Sequence, residues 1–573
     1  MKPPSRRLLT LLLALGFLAP GLRAAAADPD AAIRTELVQT LLSSGAEQHR
    51  RVGERTLSGT EVGGTVLTAW GRGGIYLYAP PGAAKIPVML EDQQDAAGKA
   101  RAIRIDDGRP VTDPQGRELR FDDSTLDPLD ADMRLRSSIQ QTLDLLALSS
   151  PDPDERHSAV VKLGNSGKLA YLAVLQARRG EETNRDVRKA IDEAVATLQL
   201  NAPDPAVQEN AAAQLGRLNA IGAIDNLTRF VKAVPGNSAA GRAGQQALKT
   251  IQGHIAVVNF FGTIFRGISL GSILLVVALG LAITFGLMGV INMAHGEMIA
   301  VGAYATYLVE NVFGSGLTLP FFGFGLRLPG LNATGAFYQS YFLIALPLSF
   351  LAAALAGIVL ERAVMRFLYR RPLESLLATW GVSLVMQQGF RMIFGANNVQ
   401  VNSPSWLLGH FSIDDVSFGY NRVFVIGFAV VIVLGTWLLL TKTPLGLLIR
   451  AVMQNRRMAS CMGVRTERVN LLTFAFGSGL AGLAGAFLSQ IGNVGPSLGQ
   501  TYIVDSFMTV VVGGVGSIVG TVYSALAIGT SDQVLQQILG SPVLGKIIVL
   551  GCIILFLQWK PGGLFATRSR NLD

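Results

Sequence analysis

Cysteine and histidine are scarce in this sequence, and their scarcity excludes two kinds of site. The 573 residues include two cysteines, Cys461 and Cys552, and five histidines scattered along the chain. The first half of the chain therefore has no disulfide and depends on its packed core. Two separated cysteines and isolated histidines do not make a tetrahedral metal set. The sequence predicts no metal site and no cofactor.

A nucleotide-binding loop is also missing. Gly164-Asn-Ser-Gly167-Lys168 resembles a phosphate loop, but its glycines are too closely spaced and Leu169 stands where Ser or Thr must reach magnesium. The sequence shows no other nucleotide-binding motif and no recognisable catalytic set. We expect no enzyme activity, so if ATP drives this protein another chain must hydrolyse it.

Charged residues are few, at 16%, whereas apolar residues make up 50%. Long apolar runs occur beyond about residue 257, at 263–291, 297–312, 340–360, 376–394, 423–441, 470–490, 503–530 and 545–559. Several reach the roughly 20 residues that cross a bilayer core, where a helix satisfies its own backbone. The basic excess, +9 overall, is dispersed at the edges of these runs, which indicates a lipid-embedded protein and no nucleic-acid partner. We predict an all-α polytopic domain of about eight or nine helical segments over 257–573.

Residues 1–27 have the three parts of a cleaved secretory signal. They begin with Arg6 and Arg7, continue with an apolar run too short to span a membrane and end in alanines before Asp28. The alternative is an uncleaved anchor. Either places residues 28–256 outside the cytoplasm, as the periplasmic extension of a multi-pass bacterial inner-membrane protein, and the mature chain is expected to begin near Asp28.

The exported extension has two predicted parts. Residues 28–139 indicate an α/β module, with a helix over 30–55 followed by β-type runs at 65–70, 74–78 and 86–90. In residues 140–256, Pro151-Asp152-Pro153 recurs as Pro203-Asp204-Pro205 at an offset of 52. Helices repeated at this period indicate a short HEAT-like solenoid. The alternative is a plain helical bundle with a chance similarity.

The loop 442–469 is polar and basic, with five arginines and one lysine, which predicts a cytoplasmic position. Apolar residues alternate with arginines at helical spacing and Gly463 ends the pattern, so we expect a short helix along the membrane face. The alternative is an ordinary positive-inside loop. Basic residues also place 361–375 and the tail inside, and eight full crossings would then leave the tail on the wrong side. One run must be re-entrant or broken, and we expect the break in 503–530 at Gly513, Gly514 and Gly516.

Several segments of the membrane half resemble the LivH-type permeases of branched-chain amino acid ABC importers. They are Asn292-Met-Ala-His295-Gly296-Glu297, Arg371-Pro372-Leu-Glu374, the 509–520 glycine run, the loop 442–469 and the tail Pro561-Gly-Gly-Leu-Phe565. Within that family, Gln387-Gln388, Asn402-x-Pro404-Ser405-Trp406, Asn455-Arg456-Arg457 and Asp505-Ser506-Phe507-Met508 are similar to the urea ABC transporter permeases of the UrtB type.

The resemblance implies a permease subunit that carries solute inward. Its partners would be a second homologous permease, cytoplasmic ABC ATPase subunits and a periplasmic solute-binding receptor, with urea as the substrate. Residues matched to the ATPase coupling loop are Arg450, Asn455, Arg456, Arg457 and Gly463. Polar residues inside the spans are costly unless they line a cavity or bond to other helices. The candidates for the solute path are Asn292, His295, Glu297, Thr379, Gln387, Gln388 and Asp505. The alternative for His295 and Glu297 is a structural cap that ties a broken helix, and the alternative for the last four is bonding between helices.

The substrate is argued from the polar groups in the spans. They are mostly amides and hydroxyls, which suit neutral urea, whereas an amino acid brings two charges that need compensation. The nearest alternative is a branched-chain amino acid permease. A stand-alone channel or carrier, or a membrane-anchored interaction protein, would leave the coupling loop or the glycine-interrupted spans without a role.

Overall fold

The structure is a computed structural model. It describes residues 31–43, 46–53, 61–80, 84–94, 99–113, 116–122, 125–289, 291–321, 324–368 and 371–565. The chain divides into two compact units, one up to His254 and one from Ile255 onward. The predicted signal segment and the start of the mature chain lie outside the described residues.

The first unit begins with helices packed on a small sheet. The helices are α1 (Ala31–Leu42), α2 (Ala46–Gly53) and α3 (Glu61–Gly71). The strands are β1 (Ile75–Tyr78), β2 (Ile86–Gln94), β3 (Ala100–Arg104), β4 (Arg120–Phe121) and β5 (Asp127–Pro128), in the antiparallel order β4-β3-β2-β1-β5. The β-type interpretation of 65–70 is wrong, because these residues lie in α3, where Val66, Leu67 and Trp70 recur at helical spacing and are buried.

Six helices follow from residue 133, and two of them, α5 and α8, start in the same way. They are α4 (Met133–Ala147), α5 (Pro153–Asn165), α6 (Leu172–Glu181), α7 (Arg185–Gln199), α8 (Pro205–Leu218) and α9 (Ile224–Ala233). Asp152 caps α5 and Asp204 caps α8 in the same way, each accepting from the backbone N–H two residues on, with proline at the first helical position. The sequence repeat is therefore a repeated helix start.

A second pair of equivalent contacts lies in the middle of these helices. A Cβ on Gly164 of α5 would lie 2.6 Å from the Cβ of Ala194, and one on Gly216 of α8 would lie 3.1 Å from the Cβ of Ala247. Each glycine therefore lets a later helix approach its backbone closely. The two contacts favour the HEAT-like interpretation, which remains a prediction.

A buried ion pair joins the start of α5 to the end of α6. Arg156 Nε and Nη2 donate to Glu182 Oε2 and Oε1 at 2.9 and 3.0 Å, and Arg156 Nη1 donates to the carbonyls of Ser150 and Pro151. Glu182 also accepts from the backbone N–H of Asn184 at 2.9 Å. Hydrogen bonding to Arg156 lowers the pKa of Glu182 to about 2.

The second unit is mainly helical. Its helices are the C-terminal part of α10 (Ala239–Met288), α11 (His295–Phe313), α12 (Gly335–Gln339), α13 (Tyr341–Ala363), α14 (Pro372–Phe394), α15 (Tyr420–Lys442), α16 (Pro444–Gln454), α17 (Arg456–Cys461), α18 (Thr466–Ser489), α19 (Leu498–Gly513), α20 (Ile518–Leu539) and α21 (Pro542–Trp559). Among the described residues, five helical stretches are long and apolar enough to cross a membrane. Several apolar helices are thus present, as the sequence predicts.

Two hairpins interrupt the all-α pattern expected of this unit. They are β6 (Gly316–Phe321) with β7 (Phe324–Pro329), and β8 (His410–Ile413) with β9 (Val416–Gly419), each antiparallel. The first lies between α11 and α12, and the second lies between α14 and α15. The β8–β9 turn needs a left-handed backbone at Asp414 and Asp415 (φ 49° and 66°), which aspartate tolerates better than most residues.

Helix α18 lies at the centre of the unit and contacts its neighbours through glycine. A Cβ on Gly485 would clash with the carbonyl of Ile299 in α11, one on Gly479 would meet the ring of Phe350 in α13, and one on Gly477 would lie 2.7 Å from the carbonyl of Gly280 in α10. Backbones that approach this closely are typical of helix packing in lipid.

Candidate functional site

A break between α10 and α11 brings several of the predicted residues together. Gly289 has φ +65°, a conformation that favours glycine, and α11 starts at His295. Asn292 is buried and its Oδ1 accepts from the backbone N–H of Ala294 at 3.0 Å. Thr379 Oγ1, from α14, accepts from the backbone N–H of Met293 at 3.1 Å. Asn292 and Thr379 therefore satisfy backbone donors that the broken helix leaves without partners.

Glu297 joins α11 to α14 through a buried polar cluster. Its Oε1 accepts from Ser383 Oγ at 2.8 Å and from Gln387 Nε2 at 2.9 Å. Glu297 is fully buried, and Ser383 and Gln387 are nearly so. The two donors are four residues apart, which places them on one face of α14. A buried carboxylate needs such donors, so this cluster ties the two helices together next to the break.

His295 lies in the same region but bonds to a different helix. It is fully buried, and its Nε2 is 3.4 Å from the carbonyl oxygen of Val277 in α10. Within the described residues, Asn292 Nδ2, His295 Nδ1 and Glu297 Oε2 are buried atoms without a hydrogen-bond partner. Buried polar atoms without a partner are uncommon in folded proteins, which makes this break the candidate solute site.

Two predicted pathway residues do not belong to this cluster. Gln388 is exposed, because it follows Gln387 on a helix and so points about 100° away from the buried face. Asp505 of α19 forms an ion pair with Lys546 of α21, with 3.0 Å between Oδ2 and Nζ. The structure thus gives Asp505 a bond between helices.

The second predicted break lies between α19 and α20, at the expected glycines. A Cβ on Gly513 would lie 2.6 Å from the carbonyl carbon of Gly520, while Gly514 and Gly516 have φ +97° and +81°. The C-terminal tail closes this break, since the backbone N–H of Leu564 donates to the carbonyl of Val512 at 2.8 Å. Glycine is required here both for the backbone conformation and for the close approach.

The loop 442–469 folds as two short helices, where a single one was expected. Thr443 caps α16 by accepting from the N–H of Gly446, and Asn455 caps α17 by accepting from the N–H of Met458 at 2.9 Å. Gly463, with φ +82°, ends α17. Asn455 is therefore a helix cap, which the arginine pattern did not reveal.

The loop presents a basic and apolar surface. Ile449 and Val452 of α16 are buried in the core, whereas Arg450 and Arg457 are exposed. Leu447, Met458 and Met462 are 63%, 59% and 78% exposed. The side chain of Asn470, in the orientation that satisfies its hydrogen bonds, accepts from Arg456 Nη2 at 3.0 Å. Arg456 thus binds α18 as well as facing outward.

Sequence reasoning missed two groups of residues. Ser383 is the second donor to Glu297. Its position four residues before Gln387, on the same face of a helix, is the sequence feature that could have identified it. Glu310, at the far end of α11, accepts from Tyr338 Oη at 2.8 Å and from Asn402 Nδ2 at 3.0 Å, which joins α11 to the loops on that side. Asn402 belonged to a matched motif, but its partner is distant in sequence.

These features define a bundle of apolar helices with two broken helices and an exposed loop of two short helices, α16 and α17. Comparison with known families gives the class of protein. Residues 263–557 match the model of a family described as the permease component of branched-chain amino acid transport systems. The chain belongs to this family, which is a transport component and not an enzyme.

Individual relatives match the same half of the chain. It is 25% identical over 324 residues to the high-affinity branched-chain amino acid permease protein BraD of Pseudomonas aeruginosa, covering 54% of this chain and 96% of the relative. It is 26% identical over 310 residues to LivH of Escherichia coli, covering 53% and 95%. A shorter match is to the ribose import permease protein RbsC of Bacillus subtilis. It is 35% identical over 126 residues and covers 21% of this chain and 39% of the relative. No solved structure matches.

Proposed function

We propose that this chain is one of two permease subunits of an ATP-driven importer, with its extension in the periplasm. Cytoplasmic ATPase subunits would dock on α16 and α17, and a periplasmic receptor would deliver the solute. The observation that carries the proposal is the surface of this loop, where the exposed Leu447, Met458 and Met462 lie among arginines. Exposed apolar side chains beside charges are typical of a protein contact, and a stand-alone channel would have no use for them.

For the substrate, branched-chain amino acids have the support of the relatives, since BraD and LivH carry that name along nearly their whole length. In this interpretation the first break, with Asn292 Nδ2 and Glu297 Oε2, offers one donor and one acceptor to a zwitterion. The carboxylate of the amino acid would face the amide of Asn292, and its ammonium group would face the carboxyl oxygen of Glu297.

Urea is the second candidate, and one observation favours it. The polar groups that gather at the first break are mainly amides and hydroxyls, from Asn292, Thr379, Ser383 and Gln387, which suit a small neutral molecule with donors and acceptors.

The substrate is tested by uptake into proteoliposomes that hold this chain with its second permease, ATPases and receptor. Labelled leucine and labelled urea are supplied in separate experiments, each with the other compound as an unlabelled competitor. Saturable, ATP-dependent uptake of leucine without urea flux supports the branched-chain substrate, and the reverse supports urea. Uptake of neither compound by an ATP-hydrolysing complex would contradict both substrates while leaving the permease role intact.

A further inference from the structure

The methyl group of Met453, at the end of α16, lies where the two helix breaks meet. A Cβ on Gly286 would lie 3.2 Å from Met453 Cε and 3.3 Å from the Cα of Gly516, and a Cβ on Gly516 would lie 3.4 Å from the same Cε. Gly286 is in the last turn of α10, just before the first break. Gly516 lies in the second break. One thioether therefore contacts both breaks and belongs to the loop helix.

We propose that Met453 transmits the movement of α16 to both helix breaks, and so couples ATP hydrolysis to the passage of solute. The inference rests on the proposed importer function. It makes Met453 a positioning residue, one that acts through the two glycine segments and not by touching the solute.

The surroundings of Met453 suit this role. Ile449 and Val452 are both 2% exposed and fix the inner face of α16 in the core, so the helix moves together with its neighbours. A methionine side chain is long, unbranched and polarisable, so it keeps contact while its surroundings shift. Two glycines opposite it leave room for the Cε atom, and a Cβ on Gly286 would press on it, whereas a Cβ on Gly516 would only touch it.

The contact also explains why a glycine stands at position 286. Gly286 lies inside helix α10, so its backbone conformation does not require glycine. A Cβ there would lie tighter than ordinary contact against Met453 Cε and the Cα of Gly516, and these atoms would have to shift to admit it. This separates Gly286 from Gly289 and Gly516, where backbone conformation alone favours glycine.

The test uses the full complex and measures solute uptake per ATP hydrolysed. Met453→Ala removes the contact and is expected to lower this ratio by about fivefold or more, the range of a typical coupling between sites, with ATPase subunits still co-purifying. Met453→Leu keeps most of the side-chain volume and should retain more uptake than Met453→Ala. Met392→Ala removes a methionine that is 42% exposed on α14 and should leave the ratio unchanged.

Gly286→Ala approaches the same contact from the other side and should also lower the ratio, which keeps the proposal testable if Met453→Ala folds poorly. An unchanged ratio in both Met453→Ala and Gly286→Ala would overturn the proposal. Loss of the ATPase subunits from the Met453→Ala complex would also overturn it, because Met453 would then serve docking. Failure of the importer function itself would be seen separately, as a wild-type complex without ATPase subunits.

Discussion

Gly302 of α11 and Gly482 of α18 lie so close together that a Cβ on Gly302 would clash with the carbonyl oxygen of Gly482. Gly482 also faces α13, where its own Cβ would lie 2.5 Å from the Cβ of Ala353. Three helices therefore meet at one point where no side chain fits. This packing fixes α11, and with it the first break and Glu297.

Gly302→Ala is expected to destabilise the membrane half. Adding a methyl group to a filled core typically costs about 1–3 kcal/mol, and here the backbone itself must move. The midpoint of thermal unfolding in detergent should fall, together with the yield of monodisperse protein. Gly435→Ala on α15 is the matched control, because a Cβ there meets nothing within 4 Å. Equal losses in both variants would contradict this account of the packing.

Removal of the Glu297 side chain should destabilise the protein more than removal of its charge. Glu297→Ala leaves Ser383 and Gln387 without their buried acceptor, at a cost of about 1–3 kcal/mol. Glu297→Gln keeps a carbonyl oxygen that accepts the same hydrogen bonds from Ser383 and Gln387, so the unfolding midpoint should stay near wild type. A Glu297→Gln variant that folds normally but loses uptake would show that the charge has a transport role.

Helices α5 and α6 should lose stability in acid through Glu182. In an unfolded chain a glutamate titrates near pH 4.3, whereas bonding to Arg156 lowers the pKa of Glu182 to about 2. The ion pair therefore contributes its full stability above about pH 5, and this contribution is lost as pH falls towards 2. Resistance to pepsin should decrease over this interval, and Glu182→Gln should flatten the decrease. Asp192→Asn, which removes the half-buried partner of the exposed Arg179, should leave it unchanged.

Reversing the charge of the loop 442–469 should stop transport without unfolding the protein. Arg456→Glu and Arg457→Glu together are expected to abolish ATP-driven uptake at equal expression, because they repel an acidic partner surface. The single variants separate two roles, since Arg456 also bonds to Asn470. Arg457→Glu alone should lose ATPase subunits at an unchanged unfolding midpoint, whereas Arg456→Glu alone should also lower that midpoint. Full uptake by the double variant would make the segment an ordinary positive-inside loop.

A conformational test of the same loop uses Gly463. Its φ of +82° is incompatible with proline, which is fixed near −65°. Gly463→Pro should therefore disturb the end of α17 and abolish uptake while the protein remains in the membrane. Uptake that is equal to wild type would show that this turn is not needed for coupling.

Composition and short-range spacing predict those elements that depend on neighbouring residues in the sequence. The apolar runs, the basic loop and the glycine break at 513–516 follow from composition and spacing alone. The repeated starts of α5 and α8 follow from Asp-Pro pairs. The helix at 61–71 was mistaken for a strand because its Thr and Val residues favour strands, and its packing on the sheet decides otherwise.

Contacts between distant residues were beyond sequence reasoning. Ser383 and Gln387 bond to Glu297 across about 90 positions of the sequence. Neither segment has a pattern that predicts contact with the other. For Asp505 the sequence left a place in the solute path and a bond between helices both open, because its partner Lys546 lies 41 residues away on another helix. The role of Met453 likewise depends on two glycines brought together only by the fold.

The central claim is that this chain moves solute only when a partner hydrolyses ATP. The direct measurement is uptake of the labelled solute by proteoliposomes with and without the ATPase subunits, and with ATP or a non-hydrolysable analogue. We predict that the ATPase subunits co-elute with this chain, and that uptake requires both the subunits and hydrolysis. Solute flux of equal rate through this chain without the ATPase subunits would contradict the account, since the protein would then be a stand-alone channel.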